Sequence, residues 1–88
     1  MNSLQEKSIE EIKSEIRMFF VEHFEVDEAE LFDGQTLFEG LGLDSLDAID
    51  IVVNFQSNYG IKPSEQELFG LKTLNDIYLL AEKYQKNG

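Results

Sequence analysis

Apolar residues recur at Ile9, Ile12, Ile16, Phe19, Phe20 and Phe24, the i, i+3, i+7 spacing that lines one face of an amphipathic helix. Ser8-Ile9-Glu10-Glu11 stands at the head of that run, a serine followed three residues later by a glutamate, in the order of a capping box. The pattern predicts a first helix from about residue 5 to about residue 24. Over residues 25–44 the period is lost: Gly34, Gly40 and Gly42 punctuate a stretch in which Leu31, Phe32, Leu37, Phe38, Leu41 and Leu43 are scattered. A polar loop of about 20 residues is unusual in a compact domain. These apolar side chains give the segment reason to lie against the core, so a long, anchored loop with room for one short helical turn is expected.

A second helix is predicted from Asp44 or Ser45 to about Tyr59. At about 100° per residue, Asp47, Asp50, Asn54, Ser57 and Asn58 share one arc of about 100°. Leu46, Ala48, Ile49, Ile51, Val52, Val53, Phe55 and Tyr59 take most of the remainder. A helix apolar over that much of its circumference is either contacted on several sides or keeps apolar surface for visitors. The β-branched run from Ile49 to Val53 is compatible with a strand, but the polar arc is helical in period and no second strand candidate exists to pair with it. Gly60 stops the helix. Pro63-Ser64-Glu65-Gln66-Glu67 then gives a short third helix, with Gly70 at its C-terminal end. Thr73-Leu74-Asn75-Asp76 opens a last helix with Leu74, Ile77, Tyr78, Ala81 and Tyr84 on one face, and Lys83 and Lys86 near its negative end. The expected fold is all-α: a small four-helix bundle, three principal helices and one short one, with a long loop between helices one and two. It is read as one domain over residues 1–88, ordered from about residue 5 to about residue 86.

Charge narrows what such a bundle can do. The 88 residues carry 18 acidic against 7 basic side chains, a formal net charge of −11. A nucleic-acid backbone is bound mainly by Lys and Arg, so this chain is repelled by one, and anionic membrane surfaces are disfavoured alike. Basic protein surfaces and cations are the natural partners. Self-repulsion also lowers the stability of a small acidic domain. The melting temperature is therefore expected to rise with added NaCl or MgCl2; a melt indifferent to both salts would contradict it. No run approaches the roughly 20 apolar residues of a membrane span, and the first residues lack a basic-then-apolar signal pattern. A cytoplasmic monomer is the default expectation.

Catalytic constellations are nearly absent. There is no cysteine, hence no disulfide, zinc-finger spacing or thiol nucleophile. His23, the one histidine, reads as a surface or core-edge residue. The acidic stretch from Asp27 to Gly34 fails as a calcium loop, because Ala29 and Leu31 fall at positions three and five, where ligands are needed. Gly42-Leu43-Asp44-Ser45 is not a hydrolase elbow, since no strand precedes it. Neither a catalytic nor a metal-binding set emerges, and an enzyme is not expected.

What remains is Gly40-Leu41-Gly42-Leu43-Asp44-Ser45-Leu46-Asp47. Ser45 or Asp44 can be read simply as the N-cap of helix two. That leaves the paired glycines and leucines, and the acids on both sides of the serine, unexplained. A hydroxyl here lies where free N–H groups and the positive end of the helix dipole gather, a setting that suits a phosphate-linked group.

Leu41-Gly42-Leu43-Asp44-Ser45-Leu46-Asp47, at the start of the second helix of a small acidic α protein, resembles the phosphopantetheine attachment motif of acyl carrier proteins. The likeness runs from about Ser8 to Tyr84 and takes in the proline after helix two and Lys72-Thr73-Leu74 before the last helix. It implies that Ser45 carries 4′-phosphopantetheine, transferred from coenzyme A by a separate phosphopantetheinyl transferase (holo-carrier synthase), and that the arm's thiol holds an acyl group as a thioester. A carrier without cysteine is then intelligible, because the thiol comes with the cofactor.

The same resemblance implies a partner surface. Asp44, Asp47 and Asp50 match positions that meet basic patches on the transferase and on acyl-loading, ketosynthase and acyltransferase-type enzymes; Leu46, Ile49 and Val53 match apolar positions touched by partners or cargo. Such visits should be fast and weak, and charge steering raises on-rates without a large buried interface. Two departures stand out: the end of helix two reads Asn54, Gln56, Ser57 and Asn58 where fatty-acid carriers usually stay acidic, and Lys62 precedes Pro63 where a branched apolar residue is common. General fatty acid synthesis and a specialised lipid, polyene or polyketide pathway both stay open. So do an aminoacyl, D-alanyl or peptidyl carrier and, from another class, an unmodified acidic interaction protein.

Overall fold

The computed structural model describes residues 6–87. Helix α1 runs Ile9–Phe24, a 3-10 turn spans Glu28–Glu30, and α2 (Ser45–Tyr59), α3 (Glu65–Phe69) and α4 (Leu74–Asn87) follow. The start expected for the first helix, near residue 5, lies outside the described residues. The helix itself begins at Ile9, because Ser8 is extended (φ −71°, ψ 158°) and its hydroxyl accepts from the Glu11 N–H. At the other end α1 stops at Glu25, which takes left-handed backbone (φ 58°) without being a glycine.

Each principal helix contributes one stripe to a single core. Ile12, Ile16 and Phe20 come from α1, Ile51, Phe55 and Tyr59 from α2, and Leu74, Ile77, Tyr78, Leu80 and Ala81 from α4. Tyr84, grouped with that last face by its spacing, is only partly buried and packs at the margin. Helix α1 packs on α4, and the Arg17 guanidinium reaches the Tyr78 hydroxyl at 3.3 Å. Between α1 and α2, Tyr59 donates its hydroxyl to Glu15 at 2.5 Å, and Lys7 pairs with the same carboxylate at 2.6 Å. Burial pushes the Glu15 carboxyl up, but the bonds from Lys7 and Tyr59 outweigh it and hold the group below its ordinary value.

The long connection is anchored as expected. Leu31, Leu37 and Leu43 enter the core, Leu41 is half-buried against it, and Phe32 and Phe38 stay exposed. Its backbone is pinned to the approach to α4: Leu37 N–H donates to Lys72 O at 2.9 Å, Leu74 N–H to Gln35 O at 2.9 Å and Asn75 N–H to Asp33 O at 2.9 Å. Thr36 and Thr73 form an isolated antiparallel bridge there, and no named strand occurs among the described residues.

Helix α3 is too short to hold itself by propagation, and one side chain does much of the fastening. Glu67 closes a capping box with Ser64, pairs with Lys83 of α4 at 2.8 Å, and accepts from the Tyr84 hydroxyl at 2.7 Å. Lys83, then the Ser64 amide and Tyr84, draw its carboxyl from 4.5 to about 2. A carboxyl depressed by folding stabilises above its unfolded pKa and loses that contribution as the pH falls through its folded value. Glu67→Gln keeps an acceptor for Ser64 but removes the charge. The variant should melt below the wild type at pH 7, and the gap should close as the pH falls from 4.5 toward about 2; a gap constant with pH would show that the charge is not the source.

Candidate functional site

Two glycines bring the chain to the head of α2. A Cβ on Gly40 would collide with the side chains of Gln35 and Thr36, whose hydroxyl accepts the Gly40 N–H at 2.7 Å. Gly42 adopts φ 73°, a left-handed conformation that side chains strain against. Leu43 then drops into the core, its N–H donating to Leu37 O at 3.1 Å, and the chain emerges at Asp44.

Asp44, and not Ser45, is the N-cap. Its backbone is extended (φ −122°, ψ −174°), its Oδ1 accepts from Asp47 N–H at 3.0 Å, and Asp47 Oδ2 accepts from Asp44 N–H at 3.0 Å. This reciprocal box commits one oxygen of each carboxylate. Ser45 is the first helical residue, exposed, and its hydroxyl has no hydrogen-bond partner among the described residues. The Ala48 N–H is taken by Asp44 O, which leaves the amides of Ser45 and Leu46 as the unspent donors of the first turn.

Beyond the serine, α2 is two-faced. Ile51, Phe55 and Tyr59 are buried, whereas Leu46 (70% exposed), Ile49 (57%) and Val53 (53%) form an outward stripe at i, i+3 and i+7. The apolar excess of this helix is therefore largely on the surface. Asp50, on the next turn after Asp47, is not free: its Oδ2 lies 3.1 Å from His23 Nε2 at the end of α1. The imidazole is stacked on Phe19 (centroids 5.0 Å, 14° between planes) and meets the edge of Phe24 at 4.9 Å. The fold thus gathers the residues singled out in the sequence on one end and one side of α2, and adds His23. Nothing in the chain pattern marks that pairing, since the partners are 27 residues apart. Among the described residues no group of three or more His, Asp or Glu is arranged to hold a metal ion, and no helix is long and apolar enough to cross a membrane.

Fold and site together define a class, that of small acidic helical bundles with an exposed serine opening the second helix. Residues 14–80 match the family described as phosphopantetheine attachment site. The chain is 37% identical over 76 residues to the acyl carrier protein of Thermotoga maritima, an alignment covering 86% of this chain and 94% of that protein. It is 36% identical over 67 residues to acyl carrier protein 2 of Ralstonia nicotianae (76% and 83% covered) and 29% identical over 79 residues to the acyl carrier protein of Rhodococcus erythropolis (90% and 87% covered). The chain belongs to the acyl carrier protein family, and its prosthetic group is covalently attached 4′-phosphopantetheine.

Proposed function

We propose that the Ser45 hydroxyl is the point of attachment and that residues 1–88 act as a single, non-catalytic carrier domain, delivering acyl intermediates between enzymes of fatty acid, polyene or polyketide-type biosynthesis in the cytoplasm. The observation that carries this reading is the uncommitted hydroxyl. Asp44 has taken over the capping duty that would otherwise explain the serine, whereas Ser8 and Ser64 spend their hydroxyls as N-caps.

The surroundings fit a phosphodiester. The hydroxyl is exposed, two amide donors of the first turn are unspent, and the helix presents its positive end there. Asp44 and Asp47 oppose a phosphate electrostatically, so their charge is better explained by the protein that visits than by the group that is held. When bound, the arm supplies a thiol that carries the acyl group as a thioester. The chain's own residues orient the tether and present a docking face of Asp44, Leu46, Asp47, Ile49, Asp50 and Val53 to basic, shallowly apolar surfaces on the transferase and on acyl-loading, ketosynthase and acyltransferase-type partners. Long-range attraction between a −11 domain and such patches speeds encounter.

The test is to incubate the protein with coenzyme A, Mg2+ and a broad-specificity phosphopantetheinyl transferase and to weigh it. A mass gain of one phosphopantetheine, mapped to the peptide that holds Ser45, is the expected result. No gain beside a working control carrier, or a gain mapped to another serine, overturns the assignment.

A further inference from the structure

We propose that His23 limits how far the docking surface extends along α2 by occupying Asp50, and so favours partners whose basic side chains are confined to the turn around Ser45. The inference rests on the Ser45 reading above and concerns which partners that site accepts.

Asp44 and Asp47 bond each other, but the box uses one oxygen of each, so each keeps an oxygen for an incoming guanidinium or ammonium. Asp50 differs. An ionised carboxylate only accepts, so the nitrogen 3.1 Å from it must carry the proton. The imidazole then occupies Asp50 whether neutral, through its N–H, or protonated, when it also cancels the charge. The ring is held in place by Phe19 and Phe24 of its own helix, so little side-chain freedom is lost in keeping the contact. Past Asp50 the helix offers Asn54, Gln56, Ser57 and Asn58, none of them charged. The usable negative charge along α2 is thereby concentrated at Asp44 and Asp47, beside the exposed Leu46 and Ile49. The complementary partner is a protein surface with a shallow apolar patch and two neighbouring basic side chains. A partner that aims a third cation at Asp50 must first displace the histidine.

Both members of the pair are about half exposed, so the masking is partial. Removing it is worth the range measured for exposed ion pairs, about 1.4- to 5-fold in affinity.

Phosphopantetheinylation by one purified broad-specificity transferase should be measured for the wild type, His23→Ala, Asp50→Asn, the double variant and Asp47→Asn, at low salt and at about 0.5 M NaCl. Unmasking predicts that His23→Ala lowers KM about 1.4- to 5-fold at low salt with kcat unchanged. The effect should vanish both in the Asp50→Asn background and at high salt. It further predicts that Asp50→Asn, with His23 in place, raises KM less than Asp47→Asn, whose amide oxygen can still serve the capping box. An unchanged or raised KM in a His23→Ala protein with wild-type circular dichroism overturns the proposal, as does an equal drop in the Asp50→Asn background. If His23→Ala is unfolded at the assay temperature, the Asp50 and Asp47 comparison decides alone, and equal increases count against masking. A wild type that accepts no phosphopantetheine removes the Ser45 reading and this inference with it.

Discussion

Ser45→Ala should take up no phosphopantetheine under conditions that modify the wild type completely, while its melting temperature stays within about 4 °C of the parent's. The two halves of that result belong together. Ser45 is exposed and makes no described hydrogen bond, so losing its oxygen costs no more than about 0.5 kcal/mol. The cap is on the preceding residue. Asp44→Ala should therefore show the converse, a loss of about 0.5–2 kcal/mol with the Ser45 oxygen intact. Asp44→Asn retains a capping acceptor and should melt close to the wild type, isolating the charge. Had Ser45 been the cap, Ser45→Ala would be the destabilised variant and Asp44→Ala the neutral one. Thermal melts with intact-mass spectra on the three variants separate these cases without any knowledge of the cargo.

Phe20→Ala is expected to leave the fold only about 0–2 kcal/mol of stability, so that up to about half of the population is unfolded at room temperature in low salt. Phe20 is fully buried (0% exposed) and lies in edge contact with Phe19 at 6.0 Å and Phe24 at 5.3 Å. Truncating a buried phenylalanine costs about 3–5 kcal/mol, part of it for the cavity left behind. Domains are stable by about 5–15 kcal/mol, and a short chain of charge −11 belongs at the low end of that range. Added salt should restore part of the helical signal by screening repulsion. Phe69→Ala is the control: at 81% exposure its loss should be within about 0.5 kcal/mol. A Phe20→Ala protein that melts within a few degrees of the wild type would mean that the core does not depend on this ring. Circular dichroism at two salt concentrations suffices.

The helices were legible because their signals are local. The α1 stripe, Gly60 as stop, Ser64 before Glu67 and Thr73 before Asp76 each lie within a turn or two of the element they define, and each is found in the structure. The head of α2 was legible only to within one residue, since aspartate and serine are about equally good caps; the choice rests on the extended backbone of Asp44. In the long connection the apolar content announced an anchored loop but not which side chains anchor it. Leu31, Leu37 and Leu43 go inward while Phe32 and Phe38, beside two of them, stay outside, and an aperiodic segment carries no rule that separates them. The end of α1 at Glu25 was illegible as a mechanism, because the left-handed residue there is not the glycine that usually marks one.

The sequence by itself determined an all-helical bundle and a negatively charged surface, since these follow from spacing, residue type and counting along a single chain, and it carried one serine motif that resembles that of acyl carrier proteins. The tertiary structure decided which acid caps the second helix, which leucines of the connection fill the core, and that a histidine on the first helix engages an aspartate on the second. The cap is a local matter of backbone conformation at Asp44, whereas the others are contacts between segments tens of residues apart, such as His23 with Asp50 or Glu15 with Tyr59. Each depends on how the packed helices rotate and slide against one another, a quantity that no local pattern of side chains encodes.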